Sequence, residues 1–156
     1  MMAIEISLAR KIKASPEFVF DWWTDLLPDD SKLVRPLKSR KVVSKSPDRI
    51  VVHDSEQMYF KKMEFDVEVA MHRPDSWIAE YRGNTACARS VYQLKSEPEG
   101  TVLNYSTKIE PRGFMMNLFS PFVKPFVKKV FVGEINVFIK TLEKEYAAIG
   151  EQKKLS

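Results

Sequence analysis

The sequence predicts an α+β fold in which an antiparallel sheet curves around one long C-terminal helix. Three observations carry this. Ser120 to Tyr146 reads as a single helix with a wide apolar face, roughly 43 Å long at 1.5 Å per residue. A helix of that kind needs a broad surface to bury it. Met63, Phe65, Val67, Val69 and Met71 alternate with Lys62, Glu64, Asp66, Glu68 and Ala70, the period-2 pattern of a strand with one solvated face. Finally, three turn signals between residues 73 and 100 set hairpin registers that agree on which face is apolar.

Taken in order, Ile4, Ile6, Leu8 and Ile12 mark a half-buried first strand. Ser15-Pro16-Glu17 then supplies a helix cap, a first-turn proline and an acidic residue at the positive helix end. Phe18, Val19, Trp22, Trp23 and Leu26 fall on one face of this helix, with Asp21 and Asp25 opposite. Pro28 to Ser31 should end it, with room for a short second helix from Asp30 to Val34. From Lys38 onward strands dominate. Lys41–Lys45 and Ile50–Asp54 flank the turn Ser46-Pro47-Asp48-Arg49, and Tyr59–Met71 follows.

The hairpins define one face in detail. A three-residue loop at Arg73-Pro74-Asp75 sets Met71 opposite Trp77 and Val67 opposite Tyr81. A two-residue loop at Gly83-Asn84 sets Tyr81 opposite Ala86, Ala79 opposite Ala88, and Trp77 opposite Ser90. The loop Glu97-Pro98-Glu99-Gly100 sets Leu94 opposite Leu103, Tyr92 opposite Tyr105, and Ser90 opposite Thr107. Residues two apart share a side of a strand, so all these positions lie together. The face mixes bulky aromatics with Ala79, Ala86, Ala88, Ser90 and Thr107. Small residues leave space, and buried tyrosine hydroxyls need partners. A pocket beneath the helix is the expected result.

In the long helix, Phe119, Phe122, Phe126, Val130 or Phe131, Ile135, Phe138, Leu142 and Tyr146 form the expected stripe. Ser120-Pro121 is the expected start, and Pro125 is expected to bend the first turns. Gly133 is expected to pack closely on the sheet. Ser120 to Phe126, with the Gly113 segment, forms the expected gate. Candidate ligand-binding residues are Trp22, Phe65, Val67, Trp77, Tyr81, Ser90, Tyr92, Tyr105, Met115, Phe119, Phe122 and Phe126.

The 156 residues suit one domain, expected over 1–150 with a frayed tail at 151–156. The lone cysteine, Cys87, excludes an internal disulfide framework and a cysteine zinc site. It favours a reducing compartment, and with no long apolar run the expected location is cytoplasmic. The net charge of +4 is spread among interleaved acids rather than gathered in a basic stripe, which argues against nucleic acid as a partner.

Ala14 to Asp25, Gly100 to Tyr105 and Gly133 to Glu143 resemble the entry helix, last strand and terminal helix of the START/Bet v 1-like (polyketide cyclase/dehydrase and lipid-transfer, SRPBCC) superfamily. The similarity of layout covers nearly the whole chain. The resemblance implies a helix-grip: a seven-stranded curved antiparallel sheet around the C-terminal helix, with short N-terminal helices after the first strand. It also implies a cavity for a hydrophobic small molecule or lipid. Members bind lipids, sterols, polyketides or plant hormones, and a minority catalyse cyclisation or dehydration.

No catalytic set emerges from the residues. His72 sits beside a turn. His53 and Asp54 are strand neighbours and point to opposite faces. Glu80 and Arg89 fall on the outer face, where an ion pair across the hairpin is expected. Cys87 lacks an activating base. There is no glycine-rich phosphate loop and no metal-spaced ligand set, so no cofactor and no metal is expected. The expected function is binding or transport of a hydrophobic small molecule or lipid, with at most transient membrane contact. The alternatives are a cyclase or dehydrase using Tyr81, Tyr92 and Tyr105 in the same cavity, or an interaction module using Lys124, Lys128 and Lys129.

Overall fold

The computed structural model describes residues 3–26, 37–58, 61–112 and 124–155. Strand β1 (Ile4–Ile12) leads into α1 (Pro16–Thr24). Six strands follow: β2 (Leu37–Lys45), β3 (Arg49–Met58), β4 (Lys61–His72), β5 (Ser76–Gly83), β6 (Ala86–Glu97) and β7 (Gly100–Pro111). The chain then runs into helix α2 (Lys124–Leu155). All seven strands form one antiparallel sheet in the order β1-β7-β6-β5-β4-β3-β2. This is the helix-grip arrangement expected from the sequence. The proposed helix at 30–34, the start at Ser120-Pro121 and the Gly113 segment lie outside the described residues.

Helix α1 begins as its sequence dictates. Ser15 is the N-cap, its Oγ accepting from the Phe18 N–H at 3.3 Å, and Pro16 occupies the first helical position. The helix ends earlier than Pro28, because Leu26 adopts φ 48° and breaks the right-handed path. Val19 and Phe20 are fully buried, and the Arg73 guanidinium lies 4.8 Å from the Phe20 ring centre. Arg73 also pairs with Asp21 at 3.0 Å, tying α1 to the β4–β5 turn.

The start of β7 pins the other end. Thr101 Oγ1 donates to the Ala14 carbonyl at 2.7 Å, linking the β1–α1 junction to β7. Gly100 has φ +150°, and a Cβ there would press on the Ile12 carbonyl oxygen. Gly100→Ala should therefore cost about 2–3 kcal/mol, the scale of a strained backbone position. Urea unfolding reads this directly; a midpoint matching the parent protein would show that the loop relaxes without penalty.

Helix α2 turns the middle of the expected row to the sheet, with Phe131, Ile135, Phe138 and Leu142 in the core, but not Phe126 and Tyr146. Val127, Ile135, Ile139 and Leu142 are buried, with Phe131 and Phe138 partly so. Phe126 is 45% exposed and Tyr146 37% exposed. Positions 127, 131, 135, 138/139 and 142 stay on one face of a 3.6-residue helix, and 126 falls one step off it. Gly133 is exposed and a Cβ there would meet nothing, so it does not mark close packing on the sheet. Pro125 falls in the first described turn. The helix continues past Gly150 to Leu155, so residues 151–155 are helical where fraying was expected.

The β4–β5 and β6–β7 registers match expectation in every pair: Met71–Trp77, Val67–Tyr81, Leu94–Leu103, Tyr92–Tyr105 and Ser90–Thr107. The β5–β6 register does not. Trp77 pairs with Tyr92, Ala79 with Ser90, and Tyr81 with Ala88. The connecting loop is Asn84-Thr85, one residue later than expected, which slides the register by two and leaves each side chain on its original face. Gly83 is a strand residue. A Cβ there would lie 2.8 Å from both the Glu64 carbonyl oxygen and the Phe65 ring, so the ring covers the glycine.

Candidate functional site

The observed register sorts the concave face by size. One row across β4, β5, β6, β7 and β1 reads Met71, Trp77, Tyr92, Tyr105, Leu8. The next reads Val69, Ala79, Ser90, Thr107, Ile6, and the one after it Val67, Tyr81, Ala88, Ile109, Ile4. Large side chains therefore stand on either side of a trough of small ones. Trp77 stacks on Tyr92 at 4.9 Å with 11° between the planes, and Tyr92 contacts Tyr105 at 4.9 Å. Trp23 meets Tyr92 from α1 at 5.8 Å, and Phe138 meets Trp23 from α2 at 5.6 Å.

A cavity of about 60 Å³ lies in this interior. Trp22, Trp23 and Leu26 wall it from α1 and the residues just after it, Arg40, Val67, Val69, Trp77, Ala79, Tyr81 and Tyr92 from the sheet, and Phe138 from α2. A wider, open groove of about 760 Å³ crosses the other side of the sheet, among His53, Glu64, Asp66, Arg82, Arg89 and Lys108. Its walls are solvated charges. Glu80 there pairs with Arg82, not with Arg89, and His53 binds Asp66 at 3.0 Å, which raises the imidazole pKa. The enclosed aromatic interior is the better candidate for a small-molecule site.

Of the residues expected to bind ligand, Phe65, Val67, Trp77, Tyr81, Ser90, Tyr92 and Tyr105 share the concave face. Trp22 lines the cavity, and its indole N–H donates to Glu145 of α2. Phe126 is 45% exposed, and Val127 beside it is buried. Met115, Phe119 and Phe122 lie outside the described residues.

The hydroxyls divide by partner. The Ser90 and Thr107 hydroxyls are hydrogen-bonded to each other at 2.8 Å, and both oppose the rise of the Tyr105 phenol pKa. The Trp23 indole beside Tyr92 opposes the rise of its phenol pKa. Tyr81 has no hydrogen-bond partner among the described residues. Burial raises the pKa of all three phenols, so they stay neutral.

Sequence reasoning missed the ionisable groups. Asp54 is buried and makes a bidentate pair with Arg40 at 2.8 and 2.9 Å. Glu56, two residues on, shares its face and has its carboxyl pushed up to about 7, first by desolvation and then by Asp54, with Arg40 opposing. Glu134 of α2 is pushed up to about 8, again by desolvation and then by Glu56. Both side chains are half-buried, and protein surrounds their carboxyls on most sides. The available signal was alternation: Ile50 and Val52 face inward, so Asp54 and Glu56 must as well.

These carboxyls make stability depend on pH. Above the ordinary carboxylate range the unfolded chain gives up protons that folded Glu56 and Glu134 retain, so rising pH favours unfolding. Their contribution is fully present below about 4.5 and is lost as pH climbs through about 7 for Glu56 and about 8 for Glu134. The slope is at most roughly 1.4 kcal/mol per pH unit for each group. Glu56→Gln and Glu134→Gln should each gain stability relative to the parent protein between pH 5.5 and 8.5. Parallel urea-midpoint profiles for parent and variants would contradict the burial of these carboxyls.

Among the described residues no group of three or more His, Cys, Asp or Glu is placed to hold a metal, and no helix is long and apolar enough to cross a membrane. No protein-family model and no curated protein matches the chain. Solved structures do. A protein from Thermus thermophilus superposes with a TM-score of 0.74 at 20% identity, over 93% of this chain and 98% of that one. The Zhui aromatase/cyclase from Streptomyces sp. R1128 gives 0.73 at 8% identity, over 94% of each chain. A START superfamily protein from Mycobacterium smegmatis gives 0.68 at 14% identity, over 94% of this chain and 99% of that one. With a seven-stranded sheet wrapped on a C-terminal helix and these neighbours, the chain has the START/Bet v 1-like (SRPBCC) helix-grip fold.

Proposed function

We propose that the protein binds or carries a hydrophobic small molecule or lipid in the space between sheet and C-terminal helix. The observation that carries this reading is the trough of Ala79, Ser90 and Thr107 between two rows of larger residues, adjoining an aromatic-walled cavity. A core built only for stability would fill such a trough with Leu, Ile or Val. In this reading the protein works in the cytoplasm, where its free Cys87 stays reduced, with at most transient membrane contact and no nucleic-acid partner. Native mass spectrometry of gently purified protein tests it. A co-purifying or added apolar ligand held with one-to-one stoichiometry supports carriage; a bare protein that takes up none of a lipid and polyketide panel counts against it.

A second reading, a cyclase- or dehydrase-like enzyme, is favoured by the interior-facing Glu56 and Glu134 carboxyls, which desolvation inclines to hold protons near neutral pH, and by the Tyr81 hydroxyl, which has no hydrogen-bond partner among the described residues. Glu56 and Glu134 are then the proton donors, with Tyr81 orienting a carbonyl. Turnover of a polyketide-like substrate that falls at least about a hundredfold in Glu134→Gln, at unchanged fold, would support it. Turnover equal to that of the parent would remove the role.

A further inference from the structure

The side of α2 turned away from the sheet is cationic and partly apolar. Phe126, Lys129, Gly133, Val137, Lys140 and Lys144 recur at steps of three and four, so they share one side of the helix. That side lies opposite the buried row from Val127 to Leu142. All six residues are exposed, Phe126 at 45% and Val137 at 39%. The row is roughly 27 Å long at 1.5 Å per residue. Lys124 and Lys128 add charge in the first described turns. Arg10 of β1 reaches the flank, its Nε donating to Asn136 Oδ1 at 3.3 Å.

The acidic residues of the helix are placed elsewhere. Glu134 is half-buried on the interior side. Glu143 accepts the Lys13 backbone N–H at 2.8 Å, and Glu145 accepts the Trp22 indole N–H, so both are turned toward the β1–α1 region. Glu151 is the first acid to share the outer side, about two turns beyond Lys144. A face that serves solubility alone interleaves both signs of charge. This one segregates them.

The charge fits an anionic surface. A second copy of the chain would bring lysines against lysines. The row lines neither the interior cavity nor the outer groove, and a protein partner's anchor residues need such a pocket. A bilayer needs only spaced cations and an aromatic ring at head-group depth. We infer that the outer face of α2 docks the protein reversibly on an anionic phospholipid bilayer, with Lys129, Lys140 and Lys144 against the head groups and Phe126 entering the interface. This goes beyond the ligand-binding reading, since an empty interior leaves the outer face unchanged.

Vesicle co-sedimentation of the full chain tests it. Phosphatidylcholine vesicles with about 30% phosphatidylglycerol should bind the protein, and pure phosphatidylcholine vesicles should not. Binding should weaken roughly tenfold between about 50 and about 300 mM salt. Each lysine near such a surface contributes roughly fivefold in affinity, so Lys129→Gln, Lys140→Gln and Lys144→Gln together should lose roughly a hundredfold. The same charge change on the outer face of the sheet, Lys62→Gln with Lys95→Gln and Lys108→Gln, should stay within about threefold of the parent. An equal loss in both triple variants assigns binding to net charge and overturns the inference. Equal binding to the two kinds of vesicle, or binding to neither, overturns it too. Poly-glutamate that releases the protein from the vesicles at an equal concentration of charge assigns the face to an acidic protein and overturns the bilayer. Each of these failures leaves the ligand-binding reading standing.

Discussion

Replacing Asp54 by alanine is expected to destabilise the fold by about 3–5 kcal/mol, because it removes the carboxylate that two nitrogens of a buried guanidinium engage. The Arg40 and Asp54 side chains are 9% and 1% exposed, and both oxygens of the carboxylate are used. Such a pair gives little net stability over an apolar one of similar volume, yet breaking it on one side is expensive. For a chain of this size the loss should lower the thermal midpoint by roughly 10 °C or more. The paired change Arg40→Leu with Asp54→Leu should recover most of the loss. Asp54→Ala also removes a charge that raises Glu56 and frees Arg40 to oppose it, so the Glu56 carboxyl should fall back toward its ordinary range. A stability loss below about 1 kcal/mol would place the pair in the class of solvated surface bridges.

Trp77→Ala should cost a comparable amount, about 3–5 kcal/mol, through lost burial and the cavity left behind. Trp77 is 2% exposed. Besides stacking on Tyr92, it takes the edge of Phe20 at 5.4 Å and approaches Trp23 at 6.2 Å. It is the floor of the site as well as a core residue, so the new space should join the existing cavity. Added indole should then raise the melting temperature of the variant and leave the parent nearly unchanged. If the loss is small and indole has no effect, the neighbouring rings have collapsed into the gap and the floor is not rigid.

Much of this architecture was legible because local and long-range signals agreed. The β6–β7 register followed from the Glu97–Gly100 loop, and the strong alternation of β4 marked its buried face without ambiguity. The β5–β6 register slipped by two because Gly83 looked like a turn residue, when its small size serves the Phe65 ring above it. The face survived that error, since a shift of two preserves parity; the row of small residues did not, and it is the row that creates the trough. Asp54, Glu56 and Glu134 were hidden for a different reason. A charged residue reads as solvent-facing unless its partner is known, and Arg40 reaches Asp54 across the β2–β3 pairing, where β2 carries register shifts on either side. On α2 the expected row holds at Phe131, Ile135, Phe138 and Leu142 and departs at Phe126, one position before the buried Val127. No residue type alone signals that difference; the full length of the stripe does.

The most direct test of the central claim, an interior site beneath α2, is a methyl NMR titration with the neutral probe N-phenyl-1-naphthylamine. Saturable shifts should appear at Val67, Val69, Ala79, Ala88 and Ile139, whose methyls lie on the concave face or the helix face above it. Shifts confined to Val42 and Val43, which are exposed on the edge strand β2, or no saturable shifts at any methyl, would contradict it.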